Sequence, residues 1–309
     1  MKIFHSTQDF ICNKKTVVTI GTFDGVHIGH KKIIDKIVQN TKTNNLESVI
    51  LTFFPHPRMV LDSKSEIKLL NTINQKSDLL EKHGIQNLII QNFNKEFSEL
   101  SAENFVKNVL VEKLNVGKII IGHDHRFGKN RAANIDDLIE FGKKYNFEVE
   151  QISAQELNDV AISSTKIRNA ILDGNIETAN EYLGYQYQII GRVIKGKQIG
   201  RTIGFPTANL ELTDSNLIIP KFGVYIVSSI IYNKTVFGIM NIGLKPTFNE
   251  RNLTIEVHFI DFEADLYEKT ITISIIKHIR NEQKFDTIQD LKNQITIDKQ
   301  FANQYINSL

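Results

Sequence analysis

The chain has 309 residues, which at roughly 150 residues per domain predicts about two domains. Apolar residues make up 41% of it and charged residues 23%, inside the ordinary globular range and against a disordered or fibrous chain. A formal charge of +2 gives no field for gathering nucleic acid or an anionic membrane, and a single cysteine, Cys12, excludes an intramolecular disulfide and any paired-cysteine metal knuckle.

In the first half, short β-branched runs alternate with amphipathic stretches. Thr16 to Ile20 reads as a strand, and Lys31 to Gln39 as a helix with Ile33, Ile34, Ile37 and Val38 on one face. Strands follow at Ser48 to Phe53, Asn87 to Ile90 and Lys118 to Ile121, interleaved with helical patterns around Gln75 to His83 and Ala102 to Leu114. That alternation predicts an α/β domain whose parallel sheet is covered by helices. Ser164 to Leu183 is again helical in pattern, interrupted at Asp173-Gly174. After Gly184 the texture changes to strand-like runs at Tyr187 to Ile194, Val224 to Tyr232, Thr235 to Ile239, Thr254 to Phe259 and Thr270 to Ile276. No long helix follows until Thr287 to Ile306, so an antiparallel barrel or sandwich closed by a C-terminal helix is expected. The domain boundary is placed at 184, giving domains 1–184 and 185–309. No apolar run approaches the roughly 18 residues of a membrane span, and His5 and Asp9 interrupt the opening stretch where a secretory leader would be apolar. The expectation is a cytoplasmic protein without membrane or nucleic-acid partners, with a homo-oligomer left open.

Directly after the first strand comes Gly21-Thr22-Phe23-Asp24-Gly25-Val26-His27-Ile28-Gly29-His30, followed at once by a helical pattern. Glycines at 21, 25 and 29 let backbone approach a ligand, and the helix N-terminus offers free N–H groups to a phosphate. His27 and His30, three apart, suit stabilisation of charge on a phosphoryl group. A tight turn with locally hydrogen-bonded histidines is the competing reading. Ile162-Ser163-Ser164-Thr165-Lys166-Ile167-Arg168 then places three hydroxyls at a helix start with two cations in its first turns. Capping explains Ser163, Ser164 and Thr165. Lys166 and Arg168 oppose the helix dipole unless an anion is held there, so a triphosphate contact is expected. Phe54, Pro55, His56 and Pro57 form a rigid strand exit suited to a flat ring.

In the second half Gly191, Gly196, Gly200 and Gly204 are interleaved with Arg192, Lys195, Lys197 and Arg201, a composition that can fold around a polyphosphate. Thr207 and Asn209 are two apart and in an extended segment point the same way; their neutral oxygens could hold a magnesium ion. On the strand Thr254 to Phe259, Glu256 and His258 share one face, and Glu256 is the natural base for an attacking hydroxyl near a phosphate loop. All five prolines, at 55, 57, 206, 220 and 246, fall in predicted loops with a ligand role.

Together, GTFDGVHIGH, ISSTKIR and GRVIKGKQIGRTIGFPTANL resemble the bacterial bifunctional riboflavin kinase/FAD synthetase family over nearly the whole chain. The resemblance implies an N-terminal Rossmann-like nucleotidylyltransferase domain of HxGH type that adenylylates FMN with ATP to give FAD and pyrophosphate. Gly21, Phe23, Asp24, His27, Gly29, His30, Ser163, Ser164, Thr165, Lys166 and Arg168 would then lie at the nucleotide. It implies a C-terminal β-barrel that phosphorylates riboflavin with ATP, using Thr207 and Asn209 on Mg²⁺ and Glu256 as base beside Gly191, Gly196, Gly200, Arg201 and Gly204. Flavin contacts are expected from Phe54, Pro55, His56, Pro57, Asp124, Phe127 and Arg280. Three positions depart from the family pattern: His125 for an aromatic, Lys195 for a histidine and Glu268 for a glycine.

Overall fold

The computed structural model describes residues 1–62, 64–122, 125–153, 162–196, 198–247 and 250–308. By packing the chain divides into two compact units, Met1–Ser164 and Thr165–Leu309.

The first unit is built on six strands, β1 Lys2–Phe4, β2 Thr16–Ile20, β3 Glu47–Phe54, β4 Asn87–Asn92, β5 Val116–Gly122 and β6 Glu148–Ile152. They pair in the order β1-β4-β3-β2-β5-β6, and every ladder is parallel. The reason is visible in β2, Thr-Val-Val-Thr-Ile, which is buried on both faces, as strands sandwiched between helix layers are. Val18 and Ile20 pack with Val49, Ile89, Leu110 and Ile119 on one side of the sheet. Val17 packs with Ile34, Ile37, Leu80 and Leu88 on the other. Helices Ile28–Asn44 and Ile73–Lys82 supply Ile34, Ile37 and Leu80 to that second layer. Because β2 lies between β3 and β5, the strand order reverses there, and the loop leaving its C-terminal end opens at the switch point where doubly wound sheets bind ligands. That loop is Gly21 to His27.

The second unit begins within helix Ser164–Asp173, which is separated from helix Ile176–Leu183 by Gly174 at φ +83°. The expected interruption is therefore a left-handed turn. Both helices are tied to the barrel: Lys221 N–H donates to the Ile171 carbonyl at 3.2 Å, and Asn180 Nδ2 donates to the Ile275 carbonyl at 2.9 Å.

The barrel has six strands, β7 Tyr187–Ile194, β8 Ala208–Leu212, β9 Gly223–Ile231, β10 Lys234–Thr247, β11 Glu250–Phe259 and β12 Thr270–Asn281, followed by helix Ile288–Ile306. They close in the order β10-β11-β8-β7-β12-β9, and all ladders are antiparallel. Closure removes the open edges a sandwich would leave. Two prolines depart from the expected loops. Pro246 lies in β10, opposite Arg251; the β9 ladder ends at Ile242, so beyond it β10 is paired on one side only and a residue without an N–H is tolerated. Pro57 opens the short helix Pro57–Leu61, with the ring nitrogen of His56 accepting from the Arg58 N–H at 3.1 Å.

Candidate active sites

In the first unit the loop after β2 is held in an uncommon backbone path. Phe23, Gly25 and Val26 all have positive φ, at 46°, 87° and 35°. For the two non-glycine residues this costs on the order of 1–3 kcal/mol each, sustained only by surroundings that dictate the turn. Those surroundings come from four places. The Thr22 carbonyl accepts from Thr52 Oγ1 on β3 at 3.1 Å and from Lys76 Nζ at 2.7 Å. The Asp24 carboxylate accepts from the Leu70 N–H at 3.0 Å, and the Asp24 carbonyl accepts from Ser164 Oγ at 2.9 Å. The first string of the ISSTKIR motif thus reaches the glycine loop, and the Ser164 hydroxyl is spent on it.

Helix Ile28–Asn44 starts within the HxGH motif, with His27 at its N-cap. The His27 and His30 rings stack, centroids 3.7 Å apart and planes 20° off parallel, and Phe23 backs His30 at 4.8 Å. Gly29 lies against the His27 ring: a Cβ there would sit 3.2 Å from Cε1 and Nδ1. Nδ1 of each imidazole is buried and lacks a hydrogen-bond partner among the described residues. The reading of locally satisfied histidines therefore finds no support at these atoms. Burial pushes His27 down to about 4. Burial, the neighbouring His27 and the Lys76 ammonium hold His30 well below the usual imidazole range. Two neutral imidazoles at a helix start are what an incoming polyphosphate would meet.

Phe23 is core, 2% exposed. Phe127 is also core, packed on Phe105 at 6.0 Å and bridged to Ala133, with the His125 ring parallel to it at 6.2 Å. Phe54, Pro55, His56 and Pro57 form the exit of β3, with Phe54 exposed. Asp124 lies outside the described residues. Ser163 precedes helix Ser164–Asp173; Thr165, Lys166 and Arg168 follow Ser164 within it, in the second compact unit. Lys76 was not anticipated. Its signal was a cation on the apolar stripe Ile73-Lys76-Leu80 of a predicted helix, where burial costs an ammonium dearly.

In the barrel, Asn209 of β8 stands opposite Glu256 of β11 and opposite Ile194 of β7. The loop leaving β7 folds back onto it: a Cβ on Gly196 would lie 2.4–2.6 Å from the Asn209 amide atoms, and one on Gly200 would lie 2.2 Å from the Phe205 carbonyl oxygen and 3.4 Å from Thr207 Cγ2. Gly204 takes φ +88°, and Gly191 is held against the Glu211 carbonyl of β8. Arg201 is exposed on the short helix Ile199–Thr202. The glycine loop, Thr207, Asn209 and Glu256 are thus gathered at one end of three neighbouring strands. His258 accompanies Glu256 as expected, its Nδ1 2.9 Å from the Pro206 carbonyl. Among the described residues no three His, Cys, Asp or Glu side chains cluster as a metal site, so a hard cation here would rely on neutral oxygens and phosphate. Arg280 Nε and Nη2 form a bidentate pair with Asp298, 3% exposed, at 2.8–3.1 Å. Glu268 adopts φ +65°, a conformation natural to glycine, and accepts from Arg192 at 3.2 Å. Lys195 lies 6.0 Å from the Tyr267 ring centroid.

A parallel sheet with neutral paired imidazoles at its switch point, followed by a closed barrel with a glycine-rich loop beside a carboxylate, defines a two-site nucleotide-dependent transferase. The FAD synthetase family model matches residues 10–166 and the riboflavin kinase family model residues 183–306. The chain is 42% identical to the bifunctional riboflavin kinase/FMN adenylyltransferase of Buchnera aphidicola from Schizaphis graminum, covering 96% of this chain and 95% of that one. It is 35% identical to the protein of the same description from Escherichia coli K12, covering 94% and 92%. A crystal structure from Streptococcus pneumoniae described as a macrolide-efflux protein superposes with a TM-score of 0.89 at 29% identity, over 97% of this chain and 98% of that one. The chain belongs to the bifunctional riboflavin kinase/FMN adenylyltransferase family. No helix among the described residues is long and apolar enough to cross a membrane.

Proposed function

We propose that the chain carries both reactions of its family, each in its own half, with the functional boundary at 184. In the barrel, ATP phosphorylates riboflavin to FMN and ADP. In the α/β domain, ATP adenylylates FMN to FAD and pyrophosphate. The observation that carries this reading is a glycine placed against a site side chain in each half: Gly196 lies closer to Asn209 than a Cβ would allow, and Gly29 close enough to the His27 ring that a Cβ would crowd it.

Glu256 takes the proton from the ribityl hydroxyl as that oxygen attacks the γ-phosphorus, and ADP leaves. The N–H groups around Gly191, Gly196, Gly200 and Gly204, with Arg201, hold the phosphates. Thr207 and Asn209 would hold a divalent cation such as Mg²⁺ through their neutral oxygens, with the Gly196 to Gly200 loop packed against both side chains; such an ion would supply charge neutralisation to the phosphates. In the other reaction a phosphate oxygen of FMN attacks the α-phosphorus of ATP and pyrophosphate leaves. His27 and His30, neutral at physiological pH, donate N–H groups to the phosphate oxygens as charge builds there. Gly21, Asp24 and Ser164 hold the loop, and Ser163, Thr165, Lys166 and Arg168 contact the triphosphate. Phe54, Pro55, His56 and Pro57 line the flavin side. The substrates are small molecules, riboflavin, FMN, FAD and ATP, and the setting is the cytoplasm.

The test is by product. His30→Ala is expected to stop pyrophosphate release from FMN and ATP while sparing ADP release from riboflavin and ATP, and Glu256→Ala to do the reverse, each by about 10²-fold or more. Survival of both products in both variants would overturn the assignment.

A further inference from the structure

Lys76 is 5% exposed on the buried face of helix Ile73–Lys82, which it shares with Gln75, Ser77 and Leu80, so its ammonium gives up hydration there. Its ammonium reaches the Thr22 carbonyl at 2.7 Å, beside the Asp24 carboxylate, itself 2% exposed. The charged and titratable groups that act on it or respond to it are Asp24 from the glycine loop and His30 from the helix that follows.

The two imidazoles at this site are neutral, so they bring hydrogen bonds and no charge. Lys76 brings a positive charge beside the loop, where it stabilises both the Thr22 carbonyl that precedes the left-handed turn and the Asp24 carboxylate within it. Its charge adds, after burial and His27, to what opposes protonation of His30. One buried ammonium thus bears on loop shape, local potential and imidazole protonation together.

We propose that Lys76 is a positioning residue for adenylyl transfer, whose ammonium fixes the Gly21 to His27 loop. The role rests on the adenylyl-transfer reading of this site. Burial lowers Lys76 to about 8, with Asp24 acting against that shift, so the charge is lost just above physiological pH. Because kcat/KM reports ionisations of the free enzyme, pyrophosphate release is expected to carry an alkaline limb near pH 8.

The experiment uses full-length protein and Lys76→Met, whose unbranched apolar chain suits the buried stem. Pyrophosphate release from FMN and ATP and ADP release from riboflavin and ATP are measured on the same preparations across pH 6–10. Lys76→Met is expected to lose at least tenfold in kcat for pyrophosphate release, to keep ADP release within twofold, and to lack the limb near pH 8. Lys76→Arg, charged throughout the range, is expected to recover activity over Lys76→Met and also to lack the limb. A loss below tenfold in Lys76→Met, a parallel fall in ADP release, or a limb persisting in that variant would overturn the role. Absence of pyrophosphate from the parent would overturn the functional reading itself.

Discussion

Gly196 offers the sharpest test of the kinase geometry. A methyl group there would lie 2.4 Å from Asn209 Nδ2, 2.5 Å from Cγ and 2.6 Å from Oδ1, whereas non-bonded carbon contacts settle near 3.5–4.0 Å. The Asn209 amide must therefore move by about 1 Å or the loop must lift by as much, relative to that contact range. An amide at the end of a short side chain can swing away, so the barrel itself should keep its stability. Displacement by about 1 Å of a group that orients phosphates costs on the order of 10²-fold in rate. Gly196→Ala is thus expected to lower ADP formation from riboflavin by roughly 10²-fold while pyrophosphate formation from FMN and the melting temperature stay unchanged. Both products are measured on one preparation by coupled assay, with calorimetry alongside. ADP formation within threefold of the parent would refute the idea that the Gly196–Asn209 contact sets the site.

Three further outcomes are expected. Gly29→Ala brings a Cβ to 3.2 Å from the His27 ring, a milder overlap, and should lower pyrophosphate release by about tenfold with ADP release intact. His27 is depressed to about 4 from its ordinary 6.5, so the unfolded chain binds the proton first as pH falls. Its share of stability, about 3 kcal/mol, is present above pH 6.5, declines through the window down to about 4, and a His27→Gln chain should show a shallower acid slope in thermal melts. Asp298→Ala leaves the half-buried Arg280 without its bidentate partner and should cost about 1.5–3 kcal/mol by denaturant unfolding, whereas replacing both residues by apolar ones should recover much of that loss.

The alternation of β-branched and amphipathic segments was enough to read the parallel sheet, because buried strands such as β2 and β3 carry dense runs of β-branched and apolar residues. Strand β8, Ala-Asn-Leu-Glu-Leu, alternates apolar and polar residues but is only five long and without a β-branched residue, too weak a pattern beside the glycine loop to be read without its two barrel neighbours. Pro246 misled for a related reason, since one-sided pairing of β10 is a property of the ladder and not of the residue. The two loops were legible because their chemistry is written contiguously in GTFDGVHIGH and GRVIKGKQIG. Burial, by contrast, is a tertiary quantity. It moved Phe127 into the core, tied Arg280 to Asp298, and turned Lys76 from an ordinary helix lysine into part of a site.

Asn209 has a neighbour on each side, Ile194 and Glu256, and those neighbours come from distant stretches of the chain. The kinase centre therefore does not exist in any local segment: it comes into being only when the last strands join the first. On a ribosome, the N-terminal half could mature while the kinase half is still being made, but phosphorylating capacity must wait until β11 has emerged and docked. A nick in the loop between β7 and β8 that leaves the strands joined should preserve that rung, whereas any fragment ending before Thr254 lacks the carboxylate and the strand that presents it.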